Sequence, residues 1–195
     1  MVKIGVLDLQ GGVREHINSL NQLPKVTPLA VKKKQDFTDL DGLILPGGES
    51  TTIGKLINIF ALKDTILELA HSGVPIWGTC AGMILLAKKI SNTETKHLEL
   101  MDITVTRNAY GNQLASFKTK KVIHQIGEEK IPLVFIRAPH IVDKNNNVQS
   151  LLTINDKLVA AEQDNLLATS FHPELTTNTA VHNYFLQKVK SYKSS

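Results

Sequence analysis

Cys80 is the only cysteine in this 195-residue chain, and it stands in Gly78-Thr79-Cys80-Ala81-Gly82 directly after the apolar run Pro75-Ile76-Trp77. A reactive side chain on a sharp strand-to-helix turn is lifted clear of its sheet, and small neighbours let the backbone turn without clashing. The spacing predicts such an elbow, with a thiol in place of the usual serine. Most unpaired cysteines are buried packing. At the start of a helix, however, the sulfur meets unpaired backbone N–H groups and a positive dipole end, which favour the thiolate. Far downstream, Phe171-His172-Pro173-Glu174 supplies an imidazole and a carboxylate two positions apart, which project from one face of an extended segment. A catalytic imidazole must be held in one tautomer, and an adjacent carboxylate does this while stabilising the imidazolium. Pro173 stiffens the backbone between them. Cys80 as nucleophile, His172 as base and Glu174 as orienting acid together describe acyl chemistry through a covalent intermediate.

Leu45-Pro46-Gly47-Gly48-Glu49-Ser50-Thr51 ends another apolar run with paired glycines and opens a helix, so its backbone N–H groups are expected at the mouth of a sheet. The tetrahedral intermediate of amide cleavage needs two donors, and the N–H groups of Gly48 and Ala81 are candidates for that oxyanion hole. A phosphate-binding turn or a plain strand-to-helix connection would use the same residues. The seven histidines are scattered and one cysteine excludes a thiolate-rich centre, so no metal is expected. Gly11-Gly12 lacks the dinucleotide fingerprint and no phosphate-loop motif occurs, so no cofactor is expected either.

The elements that must position these groups follow from hydrophobic patterning. Val2 to Leu7, Thr27 to Val31, Gly42 to Leu45 and Pro75 to Gly78 are short apolar runs typical of strands buried on both faces. Helical spacing separates them at Arg14 to Leu23, Thr51 to Phe60 and Leu62 to Ser72, and Ala81 to Ile90 is expected to be a helix leaving the elbow. Alternation of this kind predicts a parallel α/β sheet. Beyond it, Ile103 to Arg107, Lys121 to Ile126, Leu133 to Ile136, Gln149 to Ile154, Lys157 to Glu162 and Leu166 to Phe171 are strand-like, with Asn155-Asp156 and Asp164-Asn165 as hairpin turns. Val181, Tyr184, Phe185, Val189 and Tyr192 mark a closing amphipathic helix.

Length and composition fit one domain spanning residues 1–195. The net charge of +4 comes without basic clusters among aromatics: Lys32-Lys33-Lys34 and the C-terminal lysines read as solvated faces, so no nucleic-acid partner is expected. No run approaches a membrane span and Met1-Val2-Lys3-Ile4 opens directly into a strand, so a soluble, cytoplasmic protein is expected.

The elbow cysteine and late His-x-Glu pair resemble class I glutamine amidotransferases. More narrowly, Leu9-Gln10-Gly11, Arg14-Glu15-His16, Pro46-Gly47-Gly48-Glu49-Ser50-Thr51-Thr52, Arg107-Asn108 and Phe135-Ile136-Arg137-Ala138-Pro139-His140 are similar to the glutaminase subunits of pyridoxal 5'-phosphate synthase, the PdxT/SNO family. The resemblance runs nearly end to end. It implies a three-layer α/β/α, flavodoxin-like fold whose mostly parallel central sheet gains antiparallel strands in the C-terminal half. It implies L-glutamine hydrolysis, with ammonia delivered to a synthase (lyase) subunit in a large ring-shaped hetero-oligomer for vitamin B6 synthesis. It further implies that Gly48, Glu49, Ser50, Arg107, Ile136 and Arg137 surround the substrate. A guanidinium forks well onto a carboxylate, while a surface ion pair is the plainer role for Arg137. Asp8, Gly54-Lys55 and, after Tyr110-Gly111, Asn112 depart from common family residues. Glutaminase subunits of other synthases, such as imidazole glycerol phosphate synthase, share the triad without these strings, and a non-catalytic regulatory module on the same fold would not need His172 and Glu174.

Overall fold

The structure, a computed structural model, describes residues 1–107 and 116–194; Asn108 and Tyr110-Gly111-Asn112 lie outside the described residues. In the N-terminal part, strands and helices alternate: β1 (Val2–Leu7), α1 (Val13–Asn21), β2 (Val26–Val31), β3 (Gly42–Leu45), α2 (Ser50–Ile59), α3 (Lys63–His71), β4 (Ile76–Thr79) and α4 (Ala81–Leu86). There follow β5 (Ala87–Ile90), β6 (Met101–Thr106), β7 (Ser116–Lys121), β8 (Ile131–Ile136), β9 (His140–Lys144), β10 (Gln149–Ile154), β11 (Lys157–Gln163), β12 (Leu166–Thr169) and α5 (Ala180–Lys193).

The main sheet runs β2-β1-β3-β4-β12-β11-β9-β6-β5, with β10 beside β11. From β2 to β12 every pairing is parallel, and β12, β11, β9 and β6 pair antiparallel in turn. The expected mixture of a parallel half and an antiparallel half is thus present.

Side-chain alternation divides the interior between the two faces of this sheet. Leu43, Leu45, Ile76, Leu166 and Ala168 join one apolar cluster with Ile53 and Ile57 of α2, Ile66 of α3 and Met83 of α4. Ile44, Trp77 and Leu167, the residues between, join the other with Leu20 of α1 and Phe185, Leu186 and Val189 of α5. Both clusters are buried, so the strands read as continuous apolar runs and the helices as one-sided stripes. The ends of β3, β4 and β12 are thereby fixed side by side, and the segments that follow them converge on one edge.

Three elements differ from expectation. The helix after the elbow stops at Leu86, because Ala87–Ile90 pairs parallel with β6 and Lys88 forms an ion pair with Asp102 of that strand. Tertiary pairing outweighs helix propensity there. The strand expected over Lys121 to Ile126 lies earlier, as β7. Its register against β8 runs from Ser116 opposite Ile136 to Lys121 opposite Ile131, and the Phe117 and Phe135 rings stack at 4.5 Å. Finally, β9 is a strand the patterning did not single out; burial along it does not alternate, and its place is set by pairing with β6 and β11.

Candidate active site

The elbow forms where β4 ends. Cys80 has φ 49° and ψ −101°, a left-handed conformation that costs a non-glycine residue about 1–3 kcal/mol. The surroundings hold it: the Cys80 N–H donates to the Thr169 carbonyl at 2.8 Å. Gly82 packs so closely on β3 that a Cβ there would stand 2.1 Å from the Leu45 carbonyl oxygen. Small residues around Cys80 are therefore a packing requirement as well as a turn requirement.

His172 is brought to the cysteine by β8, whose Val134 carbonyl accepts the His172 N–H at 2.8 Å. The segment beyond is a 3₁₀ turn over Pro173–Leu175, with Pro173 in its first turn, and not the extended segment expected from the sequence. The turn still delivers both side chains: His172 Nδ1–H donates to Glu174 Oε1 at 2.7 Å, which leaves Nε2 for the thiol. Burial pushes the imidazole toward neutrality, but hydrogen bonds to Cys80 and Glu174 outweigh it and raise its pKa to about 10. Burial likewise opposes ionisation of Glu174; His16 and His172 overcome it and hold the carboxyl below its ordinary value. The imidazole is thus basic enough to take the thiol proton on Nε2 and to hold it for a leaving group.

Gly47 supports the ring from the other side. A Cβ on Gly47 would come to 2.4 Å from His172 Cε1 and 2.9 Å from its Nδ1. Gly47→Ala is therefore expected to push the imidazole off the thiol and lower kcat by roughly 100-fold. Turnover measured beside thermal unfolding checks this, since an unchanged kcat in a folded variant contradicts the geometry.

A cavity of about 610 Å³ opens over these groups, and all ten residues singled out from the sequence line it: Gly48, Glu49, Ser50, Cys80, Ala81, Arg107, Ile136, Arg137, His172 and Glu174. Ala81 opens α4, so its N–H has no intrahelical acceptor. The Gly47 carbonyl accepts the Gly12 N–H at 3.0 Å, which fixes the orientation of the Gly47–Gly48 peptide. Ile136 presents its carbonyl 3.9 Å from the Cys80 sulfur. Arg107 donates through Nη1 to Thr51 Oγ1 at 3.3 Å, while its buried Nε and Nη2 have no hydrogen-bond partner among the described residues. Arg137 is exposed with φ 43°, and no ion pair holds it among the described residues.

Glu49 has a second task. Its carboxylate caps α2 by accepting the N–H groups of Thr51 and Thr52 at 3.0 and 2.7 Å and the Thr52 hydroxyl at 2.7 Å. The Thr52 hydroxyl chiefly, against desolvation and with the backbone donors, holds this carboxyl at about 2. Glu49→Ala is expected to cost about 1 kcal/mol at neutral pH, a modest figure because the group is exposed. With the folded pKa below its ordinary 4.5, the carboxylate's contribution is complete above that value and is lost as pH falls through about 2. Chemical denaturation of both proteins at pH 7 and pH 2 checks the sign: the difference must shrink in acid.

Several contributors escaped the sequence reading as site residues. The Gln10 side-chain carbonyl accepts the Glu49 N–H at 2.8 Å and so braces the glycine loop. Gly54, a departure from the family pattern, lies where a Cβ would be 2.2 Å from His97 Nδ1, so the histidine occupies the space. Behind Glu174 sit His16 of α1, Thr79 of β4 and His182 of α5, all fully buried. The available signal was a histidine on the apolar stripe of each helix.

The SNO glutamine amidotransferase family model matches residues 6–191. A pyridoxal 5'-phosphate synthase subunit PdxT of Ruminiclostridium cellulolyticum is 51% identical over 97% of this chain and 100% of its own length. The subunit of the same name from Clostridium beijerinckii is 54% identical over 95% of this chain and 97% of its own. Among solved structures, a crystal structure of a glutamine amidotransferase is 39% identical, with a TM-score of 0.89, over 96% of this chain and 98% of that one.

Proposed function

This chain belongs to the SNO glutamine amidotransferase family, and from that membership we infer that it is the glutaminase subunit of a pyridoxal 5'-phosphate synthase. It hydrolyses L-glutamine to L-glutamate and ammonia and works with a synthase subunit that takes the ammonia. The observation that carries the catalytic assignment is the elbow cysteine facing an imidazole whose far nitrogen is hydrogen-bonded to Glu174 at 2.7 Å.

In the proposed reaction, His172 Nε2 takes the thiol proton and the Cys80 sulfur attacks the side-chain amide carbon of glutamine. The Gly48 and Ala81 N–H groups receive the oxyanion. His172 returns the proton to the amide nitrogen, the C–N bond breaks, and ammonia leaves a γ-glutamyl thioester. Water then gives a proton to His172 and attacks the thioester, releasing glutamate and restoring the thiol. Glu174 orients the imidazole and stabilises its charged form without becoming protonated. Gly48, Glu49, Ser50 and Ile136 border the substrate, and Arg107 and Arg137 fork onto its α-carboxylate; the unpartnered Nε and Nη2 of Arg107 support that role.

Ammonia made without an acceptor is lost, so activity is expected to depend on the partner. The bond from Gly12 N–H to the Gly47 carbonyl joins the Leu9 to Gly12 turn to the oxyanion loop, and docking at that turn would set the Gly47–Gly48 peptide. The whole chain acts as one domain within a large ring-shaped hetero-oligomer in the cytoplasm. Among the described residues no helix is long and apolar enough to cross a membrane. Glutamate release by the chain alone and with a pyridoxal phosphate synthase subunit tests the assignment: partner-stimulated release is expected, and none under either condition while the partner binds overturns it.

A further inference from the structure

We propose that His182 and His16 form a buried relay of two imidazoles that positions Glu174 from the side opposite His172. This rests on the glutaminase reading above. Glu174 Oε1 is occupied by His172, while its buried Oε2 has no hydrogen-bond partner and stands 3.5 Å from His16 Nε2. The other nitrogen of His16, Nδ1, lies 3.0 Å from His182 Nε2, across 166 residues of sequence. Trp77 closes the site, with ring centroids 5.5 Å from His16 and 5.0 Å from His182. No water-filled surface intervenes, since both histidines have no exposed area.

Only one arrangement of protons suits these contacts. Two neutral imidazoles share one proton across the 3.0 Å contact. If His16 carried it on Nδ1, its bare Nε2 would face a carboxylate oxygen, and the only proton left to His182 would sit on Nδ1, which is buried without a partner. A buried orphan N–H is rarer and costlier than an orphan acceptor. With the proton on His182 Nε2, His182 donates to His16 Nδ1, and His16 turns its Nε2–H toward Thr79 Oγ1 at 3.2 Å and Glu174 Oε2. The carboxylate then accepts from His172 on Oε1 and faces the His16 Nε2–H at 3.5 Å on Oε2, an electrostatic contact that opposes its rotation away from His172. His182 acts by fixing the tautomer of His16, as outer partners do for metal-bound histidines; both are positioning residues.

The test uses the full chain labelled with ¹⁵N-histidine, in which two-bond ¹H–¹⁵N correlations report which ring nitrogen holds each proton. Protons on Nε2 of both His16 and His182 are expected; a proton on His182 Nδ1 overturns the relay, whatever the catalytic result. In the complex with the synthase subunit, His182→Leu is expected to lower kcat by about 10- to 100-fold at unchanged KM. His182→Gln, whose amide keeps a donor at the Nε2 position, is expected to recover most of that loss. A folded His182→Leu with undiminished kcat, or His182→Gln no better than a folded His182→Leu, overturns the proposal. If His182→Leu does not fold, His182→Gln with kcat near wild type supports the relay, and a loss as large as 100-fold in it does not. Absence of glutamine turnover in the wild-type complex instead counts against the glutaminase reading, and the tautomer result still decides the relay.

Discussion

Cys80→Ala is expected to abolish glutamine hydrolysis, lowering kcat by roughly 10⁴-fold or more, while leaving glutamine affinity intact. The loss follows from position. The sulfur sits at the head of α4 beside the His172 imidazole and 3.9 Å from the Ile136 carbonyl. Removing it deletes the attacking atom and leaves the backbone of the elbow in place. In the proposed binding mode substrate recognition rests on other cavity-lining groups, Arg107 and Arg137 above all, which the substitution does not touch. Alanine meets the same left-handed backbone cost as cysteine at φ 49°, so the elbow is expected to persist. Calorimetric titration with glutamine beside a glutamate-release assay separates the two effects. Turnover within tenfold of wild type would contradict a covalent mechanism through this thiol.

Glu174→Gln is expected to lower kcat by about 10³- to 10⁴-fold with KM little changed. A carboxylate accepts on both oxygens, and here Oε1 takes the His172 proton at 2.7 Å while Oε2 faces His16 Nε2 at 3.5 Å. Glutamine can satisfy only one of those donors. With its oxygen toward His16, its NH₂ meets His172 Nδ1 and forces the proton onto Nε2, where the imidazole cannot accept from the thiol. With its oxygen toward His172, the tautomer is right but the imidazolium loses its counter-charge and two donors oppose each other at His16. In either case the pKa of His172, raised to about 10 in the wild type, should fall toward its ordinary 6.5. An NMR titration of His172 in the folded variant reads this directly. A pKa that stays near 10, or kcat within tenfold of wild type, would mean that Glu174 neither holds nor charges the imidazole.

Much of the site was legible before the fold, because its chemistry lies in short contiguous strings. The elbow needs small residues beside one nucleophile, and His172 and Glu174 stay close whether their segment is extended or, as found, a 3₁₀ turn. The parallel half of the sheet was legible for a related reason. Strands buried on both faces leave uninterrupted apolar runs, and Leu43 to Leu45 sends alternate side chains into the two clusters. The antiparallel half was less legible. Ala87–Ile90 carries a helix-compatible composition and becomes a strand only because β6 offers it an edge, and β7 takes its bounds from pairing with β8.

The sequence alone therefore determined the proposed nucleophile, base and acid, the glycine loop beside them and the alternating α/β frame, since each depends on neighbours within a few residues. Tertiary structure alone decided what stands behind and around them. Glu49 is drawn into capping α2 while Gln10, from the turn after β1, braces its backbone. His16 and His182 meet across 166 residues, a contact no local pattern records. The physical reason is the range of the forces involved: turn geometry and side-chain periodicity are set by adjacent bonds, whereas hydrogen-bond partners of buried polar groups are set by whichever elements the closed core brings together.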